Sequence, residues 1–404
     1  MSIPVQRPYL GPEELAAVQR VFESRWLGMG SVCRAFEEQL QQFLGVRHVV
    51  AVNSGTAALH LALTVLGLQS GDEVIVPTLT FVATAQAVRM TGATPVFCDV
   101  DEWTFNLDVR DAAVRITSRT KAIIPVHYGG TACDIEAVQQ LAADAHLHVV
   151  EDAAHAFGST CAGRRVGTLS RLTCFSFDPV KNITCGEGGA IATNDSELAR
   201  NVARLRVLGI DSDTWSRRDR ERPWFYDVTG PGFRYHLSDI NAAIGLEQLK
   251  RFDFFLQRRQ EIARRYDEAF GGLGGLTLRR QHLERTCPFF YVVRVRDGRR
   301  DRLMHHLKDR GIASGIHYIP NHLHRLFIES RTSLPVAERL YSEMLTLPLF
   351  CEMSNEQVDT VIAAVRGFFD AAPHPIVSLA GPFRSAVAEP SPTLETSRDG
   401  REHR

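Results

Sequence analysis

Short, almost wholly apolar runs recur between residues 48 and 193, and in the stretches separating them apolar positions return every three or four residues. Residues 48–52, 73–77, 95–99, 122–126 and 148–152 read as strands, and residues 57–63 and 83–90 as helices. Strands without polar alternation are buried on both faces. Their alternation with helices predicts a mostly parallel sheet with helices on either side. Residues 172–177 and 190–193 add two closely spaced strands. From 237 to 270 a helical period with Ile240, Ala243, Ile244 and Leu249 on its apolar face predicts one long helix. A strand at 289–295 and a helix at 302–310 belong to a smaller α/β unit that ends near Phe369. The pattern divides the chain into a large domain over 1–250, a small C-terminal domain over 251–370, and a tail over 371–404. The tail is rich in Pro, Ser and charge and is expected to be disordered.

Composition narrows the class. The chain has 404 residues, 44% of them apolar, and a formal net charge of −1. That is enough for two sizeable cores, and no basic stripe points to nucleic acid. No apolar run approaches membrane-spanning length, and the N-terminus lacks a signal-peptide pattern. The eight cysteines form no CxxC pair and several sit in apolar runs. Reduced thiols in a cytoplasmic protein account for them better than disulfides or a metal site, and no metal is expected.

Of 46 Lys plus Arg, only Lys121, Lys181, Lys250 and Lys308 are lysine. Lys181 lies between apolar strands, beside the Gly-rich Gly186-Glu187-Gly188-Gly189 turn. An arginine cannot form a Schiff base, whereas a lysine with a lowered pKa can, so a primary amine is the candidate need here. Asn53-Ser54-Gly55-Thr56-Ala57-Ala58 follows a strand and opens a helix. It is either an anion site on the helix N-terminus or an ordinary N-cap built by Ser54 or Thr56. Asp152 ends a buried strand, where ligands sit in open parallel sheets; it could pair with a protonated ring nitrogen or cap the next helix. His155 reads as a ring contact or a core histidine. Ser176 reads as a phosphate contact or a locally bonded serine, and Phe81 as a ring-stacking residue or plain core. In chain order these are a phosphate turn, an aromatic, an acid, a serine and a lysine, which is what pyridoxal 5′-phosphate (PLP) requires.

These residues and several longer motifs resemble the DegT/DnrJ/StrS family of nucleotide-sugar aminotransferases. The motifs include Arg7-Pro8-Tyr9-Leu10-Gly11, Arg25-Trp26-Leu27-Gly28, Glu151-Asp152-Ala153-Ala154-His155, Gly232-Phe233-Arg234-Tyr235-His236 and His317-Tyr318-Ile319-Pro320-Asn321-His322. The resemblance spans residues from about 3 to 368. It implies an α/β protein of the aspartate-aminotransferase-like fold type I, a homodimer with shared active sites, and a role in polysaccharide biosynthesis. By resemblance, Lys181 is the Schiff-base lysine and Asp152 the partner of the pyridine nitrogen. Gly55, Thr56, Ala57 and Ser176 hold the phosphate, Phe81 lies on the ring, and His155 stands near its hydroxyl. Arg234 reaches a neighbour's phosphate, and Trp26, His317, Tyr318 and His322 meet the substrate. The implied reaction moves an amino group from glutamate to a keto group of a nucleotide-linked deoxysugar. A free keto-cyclitol acceptor and a non-catalytic PLP-binding regulator are the alternatives. The chain departs from the family pattern in three places. Asp178 replaces a usual histidine, Arg234 and His236 replace an Asn and Arg pair, and Cys287-Pro288-Phe289-Phe290 lacks a common histidine.

Overall fold

A computed structural model of the chain describes residues 2–330 and 332–370. The tail expected to be disordered lies outside the described residues. Strands β1 (His48–Val52), β2 (Glu73–Pro77), β3 (Thr94–Cys98), β4 (Thr120–Ile123) and β5 (His148–Asp152) are followed by a two-residue hairpin, β6 (Thr160–Cys161) and β7 (Arg164–Arg165). Then come β8 (Leu172–Ser176) and β9 (Gly189–Thr193). Seven of them form one sheet in the order β1-β9-β8-β5-β4-β2-β3. From β8 to β3 every neighbouring pair is parallel, while β9 runs against both β1 and β8. The cause is the connection: β8 returns as β9 through the Lys181 loop, which holds no crossover helix.

Both faces of the sheet are covered. The helix Gly55–Val65 is apolar all round, with Ala57 through Leu63 buried, and packs with Val50, Val74, Val76 and Ile191. On the other face Phe36, Phe157, Phe175, Phe177 and Phe252 form the core. The strand expected over 122–126 ends at Ile123, because Pro125 has no N–H to give the ladder; Val126 pairs with Asp152 only as an isolated bridge.

The expected long helix is two helices, Asp239–Lys250 and Phe252–Phe270, meeting at Arg251 (φ −101°, ψ 8°). Arg251 is held by Glu13 and Glu14 of the first helix, and the turn brings Phe252 down onto the left-handed Gly158. A Cβ at Gly158 would fall 1.9 Å from the Phe252 ring. Tertiary contact, not propensity, sets this break.

A second, antiparallel sheet runs β10 (Leu276–Leu278), β11 (Tyr291–Val295), β12 (Met344–Leu347). Its core joins Tyr266, Phe270, Val293, Leu303, Leu347 and Val361 from the sheet and three helices. The strand expected from 289 starts at Tyr291, since the Phe289 N–H donates to the Gly129 carbonyl instead of a neighbouring strand. Among the described residues, no helix is long and apolar enough to cross a membrane.

Candidate active site

Asp152 and Ser176 are the last residues of the adjacent parallel strands β5 and β8, so both side chains emerge at the carboxyl edge of the sheet. The helix Gly55–Val65 starts at the same edge. Ser54, in extended conformation, caps it by accepting the Ala57 N–H at 3.1 Å. That gives the Ala57 amide a partner within the turn. The N–H groups of Gly55 and Thr56 belong to the first turn, where no intrahelical acceptor exists. Gly55 is required by close approach: a Cβ there would lie 2.7 Å from the Ser176 Cβ. Backbone amides, the Ser176 hydroxyl and a helix N-terminus thus converge in a cradle suited to a phosphate.

Asp152 is buried, and both of its oxygens are held: Oδ2 accepts from Thr84 Oγ1 at 2.7 Å and Oδ1 from the Ala154 N–H at 3.1 Å. Burial pushes its carboxyl above the usual aspartate value, against the pull of those bonds and of Lys181. Behind it, the backbone N–H of Cys133 donates to His127 Nδ1 at 3.0 Å. The His127 ring proton therefore sits on Nε2 and donates to Glu151 at 2.8 Å. The His127 N–H also bonds the Asp152 carbonyl, so this buried pair fixes the end of β5.

Lys181 stands half-buried in the loop between β8 and β9, with its Nζ 4.2 Å from the centroid of the Phe289 ring. Burial lowers its amine to about 8, and Asp178 and Asp152 oppose that shift. His155 stacks on Phe289 at 4.6 Å and 15°, and its Nε2 lies 3.1 Å from the Tyr318 hydroxyl. Its buried Nδ1 has no hydrogen-bond partner among the described residues. Burial, with Lys181 nearby, holds its ring well below the usual histidine value. The Phe81 ring is exposed and lies 5.7 Å from Tyr318, over the same cluster. His317 stacks on Phe290 and bonds Thr346 through Nδ1 at 2.8 Å; burial and Lys181 lower it to about 4.

Not every candidate joins this group. His322 is only 1% exposed, with Nδ1 bonded to Thr78 and Nε2 3.2 Å from Glu338, so its polar atoms are engaged inside the fold. Trp26 and Arg234 line a separate cleft of about 380 Å³ with Arg25, Met29, Arg217 and His236; Lys181, Asp152 and Ser176 are absent from its walls. Buried Asp239 ties the two sides of that cleft together by accepting the Gly30 and Cys33 N–H groups at 2.8 and 2.9 Å. Thr84, Phe289 and the His127–Glu151 pair pack against Asp152 or Lys181, and sequence patterning does not single them out.

An amine, a buried acid, an aromatic cluster and a phosphate cradle at the carboxyl edge of a parallel sheet define a PLP enzyme, and the residues fit that group. The glycine gap beside Ser176 admits a phosphate, and the unpartnered His155 Nδ1 offers a polar contact. Comparison with known proteins gives the particular class. The DegT/DnrJ/EryC1/StrS aminotransferase family matches residues 8–366. Spore coat polysaccharide biosynthesis protein SpsC of Bacillus subtilis (strain 168) is 41% identical over 374 residues, covering 90% of this chain and 96% of the relative. Helicobacter pylori PseC, an aminotransferase involved in the biosynthesis of pseudoaminic acid, is 30% identical with a TM-score of 0.85, over 92% of this chain and 100% of that one. The PLP-form of Spr1654 from Streptococcus pneumoniae is 31% identical with a TM-score of 0.85, over 91% of this chain and 98% of that one. The chain belongs to the DegT/DnrJ/EryC1/StrS aminotransferase family, and it is a PLP-dependent aminotransferase.

Proposed function

We propose that this enzyme moves an amino group from glutamate to the keto group of a nucleotide-linked deoxysugar, with Lys181 and Asp152 as its catalytic residues. The observation that carries the reading is Lys181. It is one of only four lysines in an arginine-rich chain, half-buried, with its amine lowered to about 8 and the acid at the end of β5 acting on it. When bound, PLP supplies a carbonyl that exchanges with amines and a protonated ring that draws electrons from the reacting carbon. The Lys181 amine would take the proton from the donor α-carbon and pass it on, and would move a proton the opposite way for the acceptor. Asp152 would keep the ring nitrogen protonated. Gly55, Thr56 and Ser176 would hold the phosphate, Phe81 would shield the ring from water, and His155 would orient its hydroxyl.

The sugar reading is supported by relatives whose names place them in polysaccharide and pseudoaminic acid biosynthesis. His317 and Tyr318, on the rim of the Lys181 cluster, are the acceptor contacts it favours. A two-fold dimer with shared sites is supported by Arg234, which is exposed and lines the cleft with Trp26, whose walls do not include Lys181, Asp152 or Ser176. The exposed apolar group Trp224, Phe225, Tyr226 and Val228 lies on the same segment, as expected of a covered face. Eight free cysteines suit a reducing cytoplasm.

The test is an amine-transfer assay with glutamate and a panel of nucleotide-linked keto-sugars and free keto-cyclitols, read by mass. Conversion of a nucleotide-linked acceptor, with glutamate consumed in equal amount, is expected. Turnover confined to free cyclitols, or to another donor, would overturn the substrate assignment.

A further inference from the structure

Phe289 presents a built surface to the reacting amine. Its ring is 2% exposed, lies 4.2 Å from Lys181 Nζ and stacks on His155. Its backbone is fastened on both sides. The N–H donates to the Gly129 carbonyl at 3.2 Å, and the carbonyl accepts from Gln6 Nε2 at 3.1 Å and Arg259 Nη1 at 3.2 Å. Arg259, buried on the Phe252–Phe270 helix, also bonds the Pro288 carbonyl at 3.3 Å. A buried guanidinium spent on two consecutive carbonyls of one loop keeps the ring from swinging away.

The face of an aromatic ring attracts an ammonium and does not comparably attract a neutral amine. The other groups facing Lys181 are Asp178 and Asp152, which favour its charge, and His155 and His317, which burial keeps neutral at ordinary pH. From this arrangement we infer that Phe289 is a positioning residue acting through Lys181: its ring face stabilises the ammonium that Lys181 becomes once it has taken a proton, until that proton is handed on. The inference rests on the assignment of Lys181 as the lysine that carries and releases the cofactor.

Four lysines make the test direct. The full-length enzyme, grown with lysine labelled with carbon-13 at Cε and converted to its pyridoxamine phosphate form, has a free Lys181 amine. The Cε signal that disappears in Lys181→Arg assigns it. Phe289→Leu should lower the Lys181 pKa by about 0.4–1.5 units, the range a cation–π contact commands. Phe289→Trp should hold or raise it, and Lys121, Lys250 and Lys308 should not move. Trifluorinated phenylalanine at 289 keeps the shape but weakens the face, and should shift Lys181 in the direction of Phe289→Leu; it reads the same effect if the leucine variant fails to fold. A Lys181 titration that stays within the scatter of the other three lysines in the leucine and fluorinated variants, or moves upward, overturns the inference. Borohydride labelling of the same variants reports separately whether Lys181 carries the cofactor, so failure of that assignment is distinguishable from failure of this one.

Discussion

Thr84 Oγ1 donates a 2.7 Å hydrogen bond to Oδ2 of Asp152, joining the first turn of the helix Ala83–Met90 to the end of β5. With the Ala154 N–H on Oδ1, the carboxylate is aimed before any ligand arrives. Burial still lifts its pKa, so the site is poised to gain from a cationic partner.

Asp152→Asn is nearly isosteric and removes the charge proposed to hold the ring nitrogen protonated. Cofactor binding should persist while amine transfer slows by roughly 10²-fold or more, by analogy with other lost electrostatic contacts. Thr84→Val should act in the same direction with a smaller loss. Steady-state rates on cofactor-saturated protein check both, and near-normal turnover of Asp152→Asn would remove that residue from the mechanism.

Lys181 should be the residue to which borohydride fixes the cofactor, as read by peptide mass. Lys181→Arg should keep the positive charge and lose the label. In protein stripped of cofactor, the amine should acylate with a midpoint near pH 8, not near the ordinary lysine value of 10.5. The sign follows from burial: below pH 8 the nitrogen is protonated and unreactive, and above it the free base attacks. Label appearing on Lys121, Lys250 or Lys308 would displace Lys181 from its role.

Gly55→Ala puts a methyl group 2.7 Å from the Ser176 Cβ, where backbone must give way. Stability should fall by about 1–3 kcal/mol, typical of overpacking, and cofactor retention should weaken with it. Gly367→Ala, in the helix Asn355–Asp370 with open space around it, is the control and should be neutral or stabilising by up to about 1 kcal/mol. Thermal melts with and without added PLP compare the two; equal behaviour would contradict the cradle.

Arg234 tests the shared site. If Arg234→Ala is impaired, mixing it with Lys181→Ala subunits and allowing exchange should create one complete site in each mixed dimer. Random pairing at equal amounts should restore about a quarter of wild-type activity. No recovery after confirmed exchange would assign Arg234 to its own subunit or to no site.

The parallel strands were legible in the sequence because burial on both faces leaves apolar runs without polar alternation, as in Val74-Ile75-Val76 of β2. Lys181 stood out because arginine fills almost every other cationic position. Contacts between distant segments were not legible. Phe289 looks locally like the start of a strand, and only the fold shows its N–H on Gly129 and its ring against Lys181. The break at Arg251 was hidden for the same reason: the apolar period continues through it, and Phe252 meets Gly158 only in three dimensions. His322 shows the converse, since a motif histidine that looks chemical in sequence is engaged by Thr78 and Glu338 in the interior.

The antiparallel return of β9 has a consequence for time. The loop that carries Lys181 leaves β8 and re-enters the same sheet, and it is tied across its base where the Phe177 N–H meets the Gly188 carbonyl at 2.8 Å and the Cys185 N–H meets the Phe177 carbonyl at 3.0 Å. The backbone under the lysine therefore has nowhere to travel. What swings when the amine leaves and comes back is a chain of single bonds, and rotations of that kind take picoseconds to nanoseconds where side chains are free. Even slowed by packing, they outrun a turnover of roughly 10 per second, typical of enzymes, by a wide margin. If Lys181 is the releasing amine, its own swing is therefore expected not to be the slow step, which would fall to proton transfer or to the exchange of substrates.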